Sequence, residues 1–85
     1  MARHVFVADD KVMAVFTECL KREREDLLKI FKALAESPYQ TGEWRQKTKS
    51  GGELQVKRFG KWLVSFWLDD PVLEIRIVDI KKLVP

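Results

Sequence analysis

The chain has 85 residues, 46% of them hydrophobic and nine aromatic, with a net charge of +3. A chain of this length buries only about 60–65% of the surface its unfolded form exposes, so it builds one compact core and is read as a single domain over residues 1–85. No run of about 20 apolar residues is present to span a membrane. The opening Met-Ala-Arg-His meets an acidic pair where a signal peptide would carry a long apolar stretch, so the chain is expected in the cytoplasm. Cys19 is the only cysteine, which leaves no disulfide framework and no cysteine-based metal site. No cofactor is expected, and Cys19 reads as a small buried hydrophobe rather than a nucleophile.

His4 to Ala8 is short, apolar and β-branched, which suits a first strand. Asp9 and Asp10 follow as candidate N-caps, since a carboxylate accepts from the orphan amides of a first helical turn. Val12, Phe16 and Leu20 recur every four residues. Leu27, Leu28, Phe31, Leu34 and Ala35 form a wider helical stripe after the polar run Lys21 to Asp26. Two helices are therefore expected, breaking near Leu20–Arg22. Ser37-Pro38 ends the second, because proline disfavours a helical residue before it. Glu43 to Gly52 is polar and reads as a loop with a turn at Ser50-Gly51-Gly52. Three strands then follow: one around Leu54-Gln55-Val56, one over Trp62 to Leu68 and one over Val72 to Ile80. They are separated by turns at Gly60-Lys61 and Asp69-Asp70-Pro71. The expected fold is α+β in the order β-α-α-β-β-β, an antiparallel sheet with both helices on one face and the other face open.

Charge is distributed unevenly along this chain. Residues 1–42 carry seven bases and seven acids, whereas Arg45, Lys47, Lys49, Lys57, Arg58 and Lys61 face a single acid, Glu53. A one-sided excess suggests a polyanionic partner such as RNA. Strand alternation sorts the side chains. Grouping by hydrophobicity sends Leu54, Val56, Trp62, Val64, Phe66, Leu73, Ile75 and Ile77 toward the helices. Gln55, Lys57, Phe59, Leu63, Ser65, Trp67, Glu74, Arg76 and Val78 then share the open face. Such a face is either a solvated sheet surface with ordinary cross-strand ion pairs, or a cationic groove in which Trp67 stacks on a base.

From Leu34 to Lys82 the sequence resembles the RelE/ParE toxin superfamily of bacterial toxin–antitoxin systems. The pieces that carry the resemblance are a helix ending in Ser37-Pro38-Tyr39 with Gly42 after it, the segment Arg58-Phe59-Gly60-Lys61-Trp62, an aromatic strand reaching Phe66 before an acidic turn, and the last strand Glu74-Ile75-Arg76-Ile77-Val78. The resemblance implies a small plasmid-stabilisation type of toxin neutralised by a cognate antitoxin protein. It implies either a ribosome-dependent mRNA endonuclease of the RelE kind or a DNA gyrase inhibitor of the ParE kind. Many relatives place an Arg directly after the aromatic that opens the third strand, where this chain has Leu63. RelE-type nucleases usually carry a Tyr or His near the C-terminus, where this chain has Lys81 and Lys82. A catalytically degenerate RNA-binding relative is the third possibility.

Metal-independent RNA cleavage uses the 2′-hydroxyl as nucleophile. It needs a base for that proton, cations at the charged phosphorane and an acid for the leaving oxygen. Preorganised charge at the transition state contributes about 3–4 kcal/mol per well-placed donor. Lys57 and Arg76 are the candidate cations. Glu74 is the candidate base, or a lysine whose pKa is lowered by clustered positive charge. Arg45, Lys47, Lys49, Arg58, Lys61, Trp67, Lys81 and Lys82 are the candidate nucleic-acid contacts. Tyr39 and His4 read as packing and strand-flanking residues.

Overall fold

In a computed structural model, the described residues are 4–37, 44–47 and 53–83, without the side chains of residues 44, 46, 47, 53 and 70. The elements in chain order are β1 (Val5–Ala8), α1 (Asp10–Glu18), α2 (Lys21–Glu36), β2 (Trp44–Lys47), β3 (Glu53–Phe59), β4 (Trp62–Asp69), a 3-10 turn (Asp70–Val72) and β5 (Glu74–Lys82). The fold is α+β, with the described strands in the spatial order β1-β5-β4-β3-β2. The last three strands run antiparallel, as their short turns require. The sheet as a whole is mixed, because β1 lies parallel to β5 in the register Val5↔Glu74 to Ala8↔Ile77. The two helices carry the chain away from β1, so the first and last strands can meet in the same direction. β2 is an added strand where a polar loop was expected. Its backbone pairs with residues 53–56 of β3, and ladder hydrogen bonds do not need apolar side chains. An edge strand rich in charge and polarity also discourages further pairing. Pro38, Tyr39, Gly42, Lys49 and the Ser50-Gly51-Gly52 turn lie outside the described residues.

The helices break at Cys19 and Leu20, both extended at ψ 155. Asp9 stands at the first N-cap, but its side chain makes no capping bond; its amide donates to Ile77 O at 3.0 Å and so joins α1 to the sheet. At α2 the carboxylate of Glu23 accepts from the Leu20 amide at 3.1 Å, half of a capping box in which leucine can offer nothing in return. Val12, Leu27, Phe31 and Leu34 are the helix residues fully enclosed, whereas Leu20 and Leu28 from the expected stripes are exposed. Cys19 is half-buried and its thiol donates to Val15 O at 3.2 Å. Burial, then the charge of Glu23, pushes its pKa up, so it stays protonated and unreactive.

The core joins those helix residues to Trp62, Val64, Phe66, Ile75, Ile77 and Ile80. Phe6 stacks obliquely on Phe31 with ring centroids 5.4 Å apart, which ties β1 to α2. Ile80 was not among the expected core residues. Ser65 pairs with Asp79 and Phe66 with Ile77, so Val78 is an extra residue, and this bulge turns Ile80 inward. Leu73, expected in the last strand, instead sits in the preceding turn at φ 56, a strained left-handed position for leucine. Truncating the ring at the centre of this core tests the packing: Phe31→Ala is expected to lower unfolding free energy by about 3–5 kcal/mol in urea titration. A loss below about 1 kcal/mol would contradict the enclosure described.

Candidate functional site

The face each cation occupies follows from the β3–β4 hairpin. Gly60 and Lys61 form a two-residue loop, with Gly60 at φ +59. A two-residue loop sets Phe59 opposite Trp62, and then Lys57 opposite Val64 and Gln55 opposite Phe66. Trp62, Val64 and Phe66 belong to the helix-side core, and Phe59 packs against the same cluster. Directly opposed residues share a face, so Gln55, Lys57 and Phe59 lie on the helix side and not on the open face. Val56 pairs with Ser65 and goes the other way; it is buried yet outside the helix-side core. Arg76 pairs with Trp67, on the open face. Lys57 and Arg76 therefore stand on opposite sides of the sheet, and the expected catalytic pair is not brought together.

The open face carries three things of chemical interest. At one end Leu63 lies between Arg58 on β3 and Lys81 on β5, each directly opposite it. Directly opposed side chains stand about 5 Å apart at Cβ, so two exposed cations flank an apolar position. Arg58 Nε donates to Gly60 O at 3.2 Å, and the side chain is exposed. In the middle lie Val56, Ser65 and Asp79; Asp79 is also 3.5 Å from Lys11 of α1. At the other end Arg76 is engaged on three sides. Its Nη2 donates to Glu74 Oε1 at 3.2 Å, its Nε stands 3.8 Å from Asp69, and its guanidinium carbon lies 5.7 Å from the centre of the Trp67 ring. Arg76 and Glu74 are thus together as expected, but as an ion pair with a second carboxylate beside it.

Of the remaining candidate contacts, Trp67 and Lys81 share the open face with Arg58. Lys82 pairs with Trp62 and so points to the helix side, where its ammonium lies 2.6 Å from Glu23. Lys61 at the hairpin tip reaches the same carboxylate at 3.7 Å. Arg45 pairs with Gln55 and is exposed. Lys47 lies in β2, its side chain beyond description, and Lys49 is outside the described residues. Lys57 holds its ammonium 5.4 Å from the Phe59 ring centre. Among the described residues no three of His, Cys, Asp or Glu gather into a metal-binding group.

Glu23 is the residue that sequence reasoning missed. Among the described residues it is the one buried charged side chain, and it joins the start of α2 to the hairpin tip and the end of β5. The Leu83 amide adds a hydrogen bond to Lys61 O at 2.6 Å across the same corner. The signal available was its spacing, three residues past the helix break, where a capping-box acid belongs. The hydrogen bond from Lys82 holds its carboxyl below the usual range, helped by the Leu20 amide and the charges of Lys82 and Lys61, with burial opposing. With its folded pKa below the unfolded one, Glu23 stabilises the fold above the unfolded carboxylate range. That contribution is lost as pH falls through the folded value. Glu23→Gln is therefore expected to lower the urea midpoint at pH 7, with the gap to the parent protein closing below about pH 4. A gap independent of pH would contradict this.

No model of a known protein family matches this chain, and no curated protein matches it either. Solved structures do match. A chain of the RelBE2 toxin–antitoxin complex of Mycobacterium tuberculosis superposes with a TM-score of 0.77 at 12% identity, covering 95% of this chain and 99% of its own. A chain of the archaeal RelE–RelB complex of Pyrococcus horikoshii OT3 gives 0.72 at 15% identity, covering 93% of each. The intact RelBE toxin–antitoxin complex of E. coli gives 0.61 at 14%, covering 96% of this chain and 99% of its own. The fold of this chain is the RelE fold.

Proposed function

We propose that this chain is the toxin of a toxin–antitoxin pair and that it inhibits translation by cutting mRNA in the ribosome. The observation that carries this reading is the coincidence of the RelE fold over 93–96% of the chain with a cationic row on its open face. Arg58 on β3 and Lys81 on β5 flank Leu63 from the two sides of β4, and a phosphate bound over Leu63 would lie between them. Their charges would stabilise the phosphorane formed when the 2′-hydroxyl attacks. The Trp67 indole would stack a base, as single-stranded RNA recognition requires. Glu74 stands at the other end of the face, opposite Asp69 and about 20 Å from Leu63 at roughly 3.3 Å per residue, so it is out of reach of a 2′-hydroxyl beside that phosphate and has no part in the step. Lys57 has no part in this step, since it faces the other way.

A second reading has its own observation. Arg76 is already paired with two carboxylates, and Lys57 is absent from the face, so the surface is better furnished for binding than for proton transfer. On that reading the chain poisons DNA gyrase, or binds RNA without cutting it. In either toxin reading an antitoxin protein is the partner, and a small neighbouring reading frame is the place to seek it.

Expression of the chain alone is expected to arrest growth and leave mRNA cut within codons. Arg58→Ala and Lys81→Ala should each relieve the arrest with folding retained, and should each reduce the salt dependence of RNA binding by about one phosphate contact. Arrest with intact transcripts and DNA-damage induction would overturn the nuclease reading in favour of gyrase. Harmless expression would overturn both.

A further inference from the structure

The end of the open face beside the last turn carries two features that folding alone disfavours. Leu73 holds φ 56, a left-handed position for leucine, with its carbonyl taken by the Val5 amide at 3.0 Å. The turn it closes sets Asp69 directly opposite Glu74, and like charges so placed repel. Two residues along, Trp67 stands opposite Arg76. Alternate residues of a strand point the same way, so the four side chains form one block, each of them half-buried. Arg76 stands between the two acids. Its Nη2 donates to Glu74 Oε1 at 3.2 Å, while its Nε is 3.8 Å from Asp69 Oδ2, longer than a hydrogen bond. Departures from local rules that are kept together at one place mark a functional site.

We infer that this block is a subsite for a guanine base of single-stranded RNA, with Trp67 and Arg76 as its stacking surface and Asp69 as the group that reads the base. The inference rests on the RNA reading above for the strand, and on the block itself for the base. Two acids to one base leave no unpaired cation there for a phosphate. What fits is a flat group with hydrogen-bond donors along its edge. Bases stack on indole rings and on guanidinium planes, and the Arg76 guanidinium already lies 5.7 Å from the Trp67 ring centre. An ionised carboxylate only accepts, at two oxygens side by side. Among the RNA bases, guanine is the one with two adjacent donors on its Watson–Crick edge, N1–H and N2–H. Adenine and cytosine place a ring-nitrogen acceptor there, which a carboxylate repels. Uracil flanks its single donor with carbonyls. Asp69 is the reader because it lies two residues from Trp67 on the same strand, whereas Glu74 is hydrogen-bonded to Arg76 and holds it in place. Trp67 is about 13 Å along β4 from Leu63, so a strand with its phosphate between Arg58 and Lys81 reaches the subsite without leaving the face.

The test is titration of the full chain with short single-stranded RNAs of uridine carrying one central guanosine, adenosine or cytidine, read by the indole N–H resonance of Trp67. Guanosine monophosphate is a further probe. The guanosine strand is expected to bind about 10-fold more tightly than the adenosine strand and to move the Trp67 signal. Asp69→Asn is expected to erase that preference and leave the adenosine strand within about 2-fold of its wild-type affinity, with circular dichroism unchanged. Trp67→Ala is expected to weaken the guanosine strand about 10-fold. Arg58→Ala is expected to weaken every strand and keep the preference. Guanosine monophosphate is expected to move the same signal only at higher concentration; affinity equal to the strand's would overturn the assignment to RNA. A guanosine preference that survives Asp69→Asn would overturn the inference. Strands that bind equally, and all weaken in Arg58→Ala, would remove the subsite and leave the RNA reading standing. Guanosine monophosphate at Trp67 with no strand bound would remove the RNA reading instead.

Discussion

The two-residue turn at Gly60-Lys61 is the constraint from which the arrangement of the whole surface follows. Its first residue stands at φ +59, where a side chain would be strained although nothing crowds the space a Cβ would take. Glycine is there for the backbone, not for room. Once the loop is two residues long, the register of β3 on β4 has no freedom. β4 is itself fixed by Trp62, Val64 and Phe66 in the core, so the parity of β3 is decided by counting back from the turn. That count sends Arg58 to the open face and Lys57 to the helices.

Much of the architecture was legible in the sequence, because each feature had a local cause. The helix pair, its break beside Leu20, the end of α2 before Pro38 and the antiparallel run of three strands all rest on spacing and turn chemistry. The sidedness of β3 was misread for a physical reason. Leu54 and Val56 are apolar and invite placement in the core, yet Phe59 is apolar too, and only the turn length distinguishes the two sets. Hydrophobicity ranked the faces; loop geometry decides them. Ile80 escaped because a bulge at Val78 has no marker in the residues around it. The polar strand Trp44–Lys47 escaped because backbone pairing with β3 creates it. Its partner lies across a hairpin, beyond any window of local pattern.

Charge pairing then sorts cations that look equivalent in sequence. Glu23 takes Lys82 and Lys61, and Asp69 with Glu74 takes Arg76. Arg58 and Lys81 have no carboxylate partner among the described residues, and they flank Leu63 on the open face. A chain whose net charge is only +3 thus shows a concentrated positive pair on one side. The acids are not spread evenly against the bases; they are spent at the corner and at the far end of the sheet. Surface pairs of this kind contribute little to stability, but they determine where an anion finds unpaired charge.

The register carries the account, and nuclear Overhauser contacts between side chains measure it most directly. Contacts from Phe59 to Trp62 and from Lys57 to Val64, with Arg58 meeting Leu63 and Leu63 meeting Lys81, are the predicted result. Contacts from Lys57 to Arg76 or Trp67, or from Val56 to Val64, would contradict it and return the two cations to a single face.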